Sequence, residues 1–147
     1  MDRPVLVLDG ISLTCGDVAA AARGAVQVEL SADGRQRAGA AAEVAAYATA
    51  RREVYGRTTG VGANRETAVS SGDAARHGLR LVRSHAGGGG PLIAAELSRG
   101  MLVVRVNQIA AGGSGVDPGV LDALIDAVNE GLSVPVPAWG GRSAPGT

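Results

Sequence analysis

The sequence predicts a mainly α-helical fold with a small β element at its amino end. Three observations carry that prediction. Long stretches are rich in Ala, Arg, Gln and Glu, which are strong helix formers. Apolar residues near the carboxyl end recur at helical spacing. Only two short runs read as strands, and both lie at the amino end. At 147 residues the chain is one domain or a piece of a larger one. With aromatics at 2% of the residues, its core must be built from Ala, Val and Leu.

The first strand is "PVLVLDG", closed by a turn at Asp9-Gly10. A helix begins in "SLTCGDVAAAAR", where Ser12 or Thr14 can accept the free amide hydrogens of its first turn. "VQVEL" (26–30) alternates apolar and polar side chains and gives the second strand. A helix is expected from Ser31 to about Val54, stopping where Gly56 appears. Residues 55–67 form a glycine-laced loop, and residues 68–84 are helix-like, weakened by Gly72 and Gly78. "HAGGGGPL" reads as a hinge, with Pro91 in the first turn of a helix running to about Ala111. "GGSGVDP" is a turn, and Asp117 with Pro118 starts the last helix. Val120, Leu121, Leu124, Ile125 and Val128 share one face of it, and Gly131 ends it where a left-handed residue is wanted. Three of the helices lack obvious partners in so short a chain. The remainder, "SVPVPAWGGRSAPGT", has no periodicity.

Composition removes several functions. The 14 basic and 14 acidic residues cancel and form no basic block, so no nucleic-acid or membrane partner is expected. Cys15, the single cysteine, excludes an internal disulfide and suits a reducing cytoplasm; it reads as a small core residue. The apolar run Val5 to Leu8 is too short for a signal or membrane segment. "GRTTGVGANR" is no phosphate-binding loop, since it follows a helix and no Lys-Ser/Thr pair follows it. No metal site is expected: His77 and His85 are the only histidines, without an acidic cluster nearby.

Tyr55 and His85 remain as candidates, and the residues alone leave two readings open. In one, the tyrosine closes a helix and the histidine caps another. In the other, both work beside glycine-rich breaks, where backbone can approach a ligand closely and move. A phenol with a pKa of ~10 takes a weakly acidic proton only if a donor or positive charge steadies its phenolate.

Five segments together resemble the aromatic amino acid ammonia-lyases (histidine, phenylalanine and tyrosine ammonia-lyases and related aminomutases). They are "DGISLT" (9–14), "VYGRTTGVGANR" (54–65), "LRLVRSHAGGGGPL" (79–92), "MLVVRVNQIAAGGSGV" (101–116) and "LDALIDAVNEGLSVPVP" (121–137), in the family's order and spacing. The resemblance implies the amino-terminal portion of the ammonia-lyase (L-aspartase-like) helical fold over residues 1–137. It implies ammonia elimination from histidine or a related aromatic amino acid. Tyr55 matches the loop tyrosine that acts as general base, Gly62 lines the pocket, and Ser84 and His85 match the pair meeting the substrate side chain. The Ser-His pair is more similar to the histidine enzymes.

The family's electrophile is a methylidene-imidazolone, formed by cyclisation of an Ala-Ser-Gly that follows the segment matching "VPVPAWG". Here the chain reads "GGRSAPGT" instead, so the cofactor expectation is none in this chain. Read one base earlier, codons for "SAPGT" and a following stop can spell Leu-Gly-Thr-Gly-Asp-Leu, so residues 138–147 are expected to be an irregular tail, out of frame from about Gly141. A truncated chain of this kind is expected to be inactive alone and to associate with itself or a full-length relative. The alternative is a non-catalytic remnant acting as a binding or interaction module.

Overall fold

The computed structural model describes residues 3–140. In chain order its elements are β1 (Val5–Leu8), α1 (Cys15–Ala22), β2 (Gln27–Leu30), α2 (Ala32–Thr49), α3 (Ala74–His85), β3 (Gly88–Leu92), α4 (Ala95–Ala110), α5 (Pro118–Asn129) and β4 (Pro137–Gly140). Short 3-10 turns lie at Gly62–Asn64 and Ser71–Asp73. The fold is mainly α, as the sequence predicts. Among the described residues no helix is long and apolar enough to cross a membrane. The chain divides into two compact units, Met1–Ala45 with Ile93–Pro135, and Ala46–Leu92 with Val136–Thr147.

The first unit holds the apolar core. β1 and β2 pair in parallel, with Val5 opposite Gln27 and Leu8 opposite Leu30. Parallel neighbours need a crossover, and α1 supplies it. Thr14, not Ser12, caps α1: its hydroxyl accepts from the Asp17 N–H at 3.2 Å, and Asp17 accepts in return from the Thr14 N–H at 3.0 Å. Ser12 instead donates its hydroxyl to Asp9 at 2.8 Å. At the other edge of β2, the Asn129 side chain from α5 replaces a neighbouring strand. Its Oδ1 accepts from the Val28 N–H at 2.8 Å, and its Nδ2 donates to the Val28 carbonyl at 2.9 Å.

Leu8, Val28, Val103, Val106, Ile109 and Leu121 form the centre of the core. The apolar face of α5 is therefore largely covered within the chain. Leu121 and Val128 are buried and Leu124 and Ile125 pack against the core, while Val120 stays exposed. The Asp117 carboxylate caps α5 through the Gly119 N–H at 2.8 Å, and Gly131 follows its end at φ +70°. Gly10 turns out of β1 at φ +82°, so close to the Ala111 backbone that an added Cβ would lie 2.5 Å from its nitrogen.

The second unit departs from the sequence expectation in three places. α2 ends at Thr49 rather than near Val54, and residues beyond it turn. α3 starts at Ala74 rather than at 68, because the backbone at 67–69 is drawn into pairing with 58–60. The glycine run is not a hinge leading into a helix: Gly88–Leu92 is strand β3, antiparallel to β4, and α4 starts at Ala95 instead of Pro91. Two causes act here. A residue before proline is biased away from helical geometry. Gly90, at φ +81°, also lies under the Trp139 ring, where an added Cβ would be 2.6 Å from ring carbons. β4 thus makes residues 138–140 strand, where an irregular tail from 138 was expected, and residues 141–147, where the out-of-frame reading falls, lie outside the described residues.

Candidate functional site

The loop after α2 is organised by backbone hydrogen bonds rather than by apolar packing. The Val54 carbonyl accepts from the N–H groups of Arg57 and Thr58, each at 2.9 Å, and the Thr58 hydroxyl accepts from the Val54 N–H at 2.7 Å. Gly56, at φ +73°, provides the left-handed residue inside this turn. The chain then closes on itself: Gly60 N–H donates to the Thr67 carbonyl at 2.9 Å, and Val69 N–H to the Thr58 carbonyl at 2.7 Å. Gly60 has no room for a side chain, since a Cβ there would lie 2.4 Å from the Asn64 carbonyl oxygen.

Tyr55 reaches across to the tip of this loop. Its phenol oxygen accepts from the Gly62 N–H at 3.0 Å, and the side chain is 65% exposed. That oxygen therefore receives a donor while its own hydrogen stays available to another partner. The structure thus joins Tyr55 and Gly62, two of the residues singled out from sequence.

Ser84 and His85 form the second pair, in the last turn of α3. The Leu81 carbonyl accepts from the Ser84 hydroxyl at 2.9 Å and lies 2.9 Å from His85 Nδ1. A carbonyl only accepts, so Nδ1 carries the hydrogen in the neutral ring, which Ser84 Oγ also receives at 3.0 Å. His85 Nε2 is then the acceptor nitrogen, on an exposed ring. Among the described residues no hydrogen bond joins Tyr55 to Ser84 or His85.

His77 is the residue that sequence reasoning passed over. Its Nε2 lies 3.1 Å from the Thr59 carbonyl, which ties α3 to the loop. His77, Leu81 and His85 stand at i, i+4 and i+8, one stripe of the helix. That spacing was visible in the sequence; its partner, a backbone carbonyl, was not.

A cleft of about 660 Å³ opens beside the loop, lined by Thr49, Gly56, Thr58, Val69 and Gly78 among others. Tyr55, Ser84 and His85 do not line it. The first unit has its own cleft of about 740 Å³ between α1 and α4, with Leu97 and Met101 on its wall. Among the described residues no three His, Cys, Asp or Glu side chains gather to hold a metal ion.

Comparison with known proteins gives a consistent result. The pattern of the family described as aromatic amino acid lyase matches residues 13–146. A probable histidine ammonia-lyase of Halobacterium salinarum is 37% identical over 142 residues, 96% of this chain and 27% of that protein. The crystal structure of tyrosine aminomutase from Streptomyces globisporus superposes with a TM-score of 0.86 at 32% identity, covering 94% of this chain and 26% of that one. Ergothionase from Treponema denticola superposes at 0.89 with 28% identity, covering 93% and 28%. The chain thus spans about a quarter of the length of these relatives.

Proposed function

The chain belongs to the aromatic amino acid lyase family, and from that premise we propose that it carries the amino-terminal part of an ammonia-lyase site acting on histidine or a related aromatic amino acid. The observation that carries this reading is the hydrogen bond from Gly62 N–H to the Tyr55 phenol oxygen on a glycine-laced loop.

In such an elimination a proton leaves the β-carbon, its electron pair becomes the new double bond, and the carbon–nitrogen bond breaks as ammonia departs. Tyr55 is the general base: as the phenolate, its negative oxygen is steadied by the Gly62 N–H, and on taking the β-proton it becomes the neutral phenol. Ser84 and His85 meet the substrate side chain. With Nδ1 committed to Leu81, His85 Nε2 offers a lone pair to a ring N–H or a phenol O–H. The loop closes over substrate and keeps water out. Its build suits such closure, because among the described residues the second unit buries only Thr59 and Gly60, and no large apolar side chain. Segments with so little apolar burial open at low cost.

The family's methylidene-imidazolone supplies the electrophile that makes the β-proton removable. Its Ala-Ser-Gly precursor is not among these 147 residues, so these residues alone do not form that group. A second reading is a non-catalytic binding module. A small-molecule amino acid is the partner in either reading, along with a second copy or a full-length relative, in the cytoplasm. The test uses the purified chain with histidine, tyrosine and phenylalanine. No ammonia or unsaturated acid is expected, but amide shifts at Gly62 and His85 are expected on titration with one of them. Turnover by this chain alone overturns the dependence on a missing electrophile; unperturbed amides overturn the substrate-contact roles.

A further inference from the structure

We propose that His77 is a positioning residue, a latch whose Nε2–H holds the Thr59 carbonyl and so sets the Tyr55 loop in register on the helix that carries Ser84 and His85. Thr59 is 3% exposed, so its carbonyl has little access to water. The pairing inside the loop does not use it: Thr58 and Gly60 face residues 67–69, which turns the Thr59 carbonyl outward. A buried carbonyl without a donor is costly, and the His77 ring supplies one at 3.1 Å. Both the neutral Nε2–H ring and the imidazolium donate, so the latch holds in either charge state.

The geometry gives the latch a consequence at the site. One helical turn beyond His77 stands Leu81, whose Cδ1 lies 3.9 Å from the Cβ position of Gly56 in the Tyr55 turn. One turn further stands His85, anchored to the Leu81 carbonyl. A single stripe of α3 therefore holds the loop at Thr59, runs past the open side of Gly56, and ends in the candidate substrate contact. Losing the first contact frees the loop to shift along this stripe.

The role of the loop in catalysis rests on the function proposed above; the latch does not. Its test is amide hydrogen exchange in the purified chain. In His77→Leu, exchange at Gly60, Gly62 and Val69 is expected to rise roughly two- to twelvefold, the range for losing one net hydrogen bond. Val106 and Ile109, in α4, should not change. His77→Gln, which returns an N–H donor, should stay within about twofold of the wild type. In the unsubstituted chain, nitrogen NMR should show neutral His77 protonated at Nε2, a measurement that stands even if the leucine variant fails to fold. Unchanged loop exchange in His77→Leu, equal acceleration in both variants, or protonation at Nδ1 overturns the latch. None of those results bears on Tyr55 as base, which is decided by its own substitution.

Discussion

Replacing Asn129 by alanine tests how the small parallel sheet is held. Val28 is 1% exposed, and its N–H and carbonyl both point away from β1 to the Asn129 amide, at 2.8 and 2.9 Å. Alanine removes both bonds and leaves two buried backbone groups without partners. Each bond contributes about 0.5–1.5 kcal/mol net, so the pair is worth about 1–3 kcal/mol, and the buried setting of Val28 favours the upper half. Against a typical total of about 5–15 kcal/mol this is a large share. Chemical denaturation is the assay: the midpoint should fall with the slope unchanged. Asp126→Ala, an exposed position on the same helix, serves as control and should stay within about 0.5 kcal/mol. If Asn129→Ala also stays within that margin, the side chain does not act as a surrogate strand.

Three further outcomes follow from single side chains. In an extended, active form of the protein, Tyr55→Phe should lower kcat by about 10²–10⁴ with KM little changed, measured by ammonia release, because only the oxygen that takes the proton is lost. Ser98 is 1% exposed and its hydroxyl has no hydrogen-bond partner among the described residues, so Ser98→Ala should raise the unfolding midpoint or leave it unchanged, and a fall would reveal a bond the hydroxyl makes. Asp9 is held at a pKa of about 2, against an ordinary 3.8, by the Ser12 N–H first, then the Ile11 N–H and the Ser12 hydroxyl. A depressed carboxylate contributes stability that is present above the unfolded value and lost as pH falls through the folded one. Acid titration of stability should therefore show a loss between those two values that Asp9→Asn flattens.

The elements that were legible in the sequence are those fixed by near neighbours. α1 begins at a threonine whose partner stands three residues on, and α5 begins at Asp117-Pro118 and stops before Gly131. β1 and β2 follow from short apolar or alternating runs, and the motif segments placed Tyr55, Gly62, Ser84 and His85 on one loop and one helix end. In each case the deciding interaction spans a few residues, so local pattern and local geometry agree.

What the sequence misjudged depends on partners far along the chain. Gly88–Leu92 read as a hinge because four glycines carry no pattern of their own; β4, some fifty residues later, makes them a strand, and the Trp139 ring lies where a side chain on Gly90 would be. No pattern in the sequence singles out Asn129, yet it completes the edge of β2 across 101 residues of sequence. The Thr59 carbonyl that engages His77 is a backbone group every residue possesses, so no choice of residue announces it. A backbone donor or acceptor becomes specific only when folding buries it and brings one partner within reach, and that is decided by tertiary structure alone.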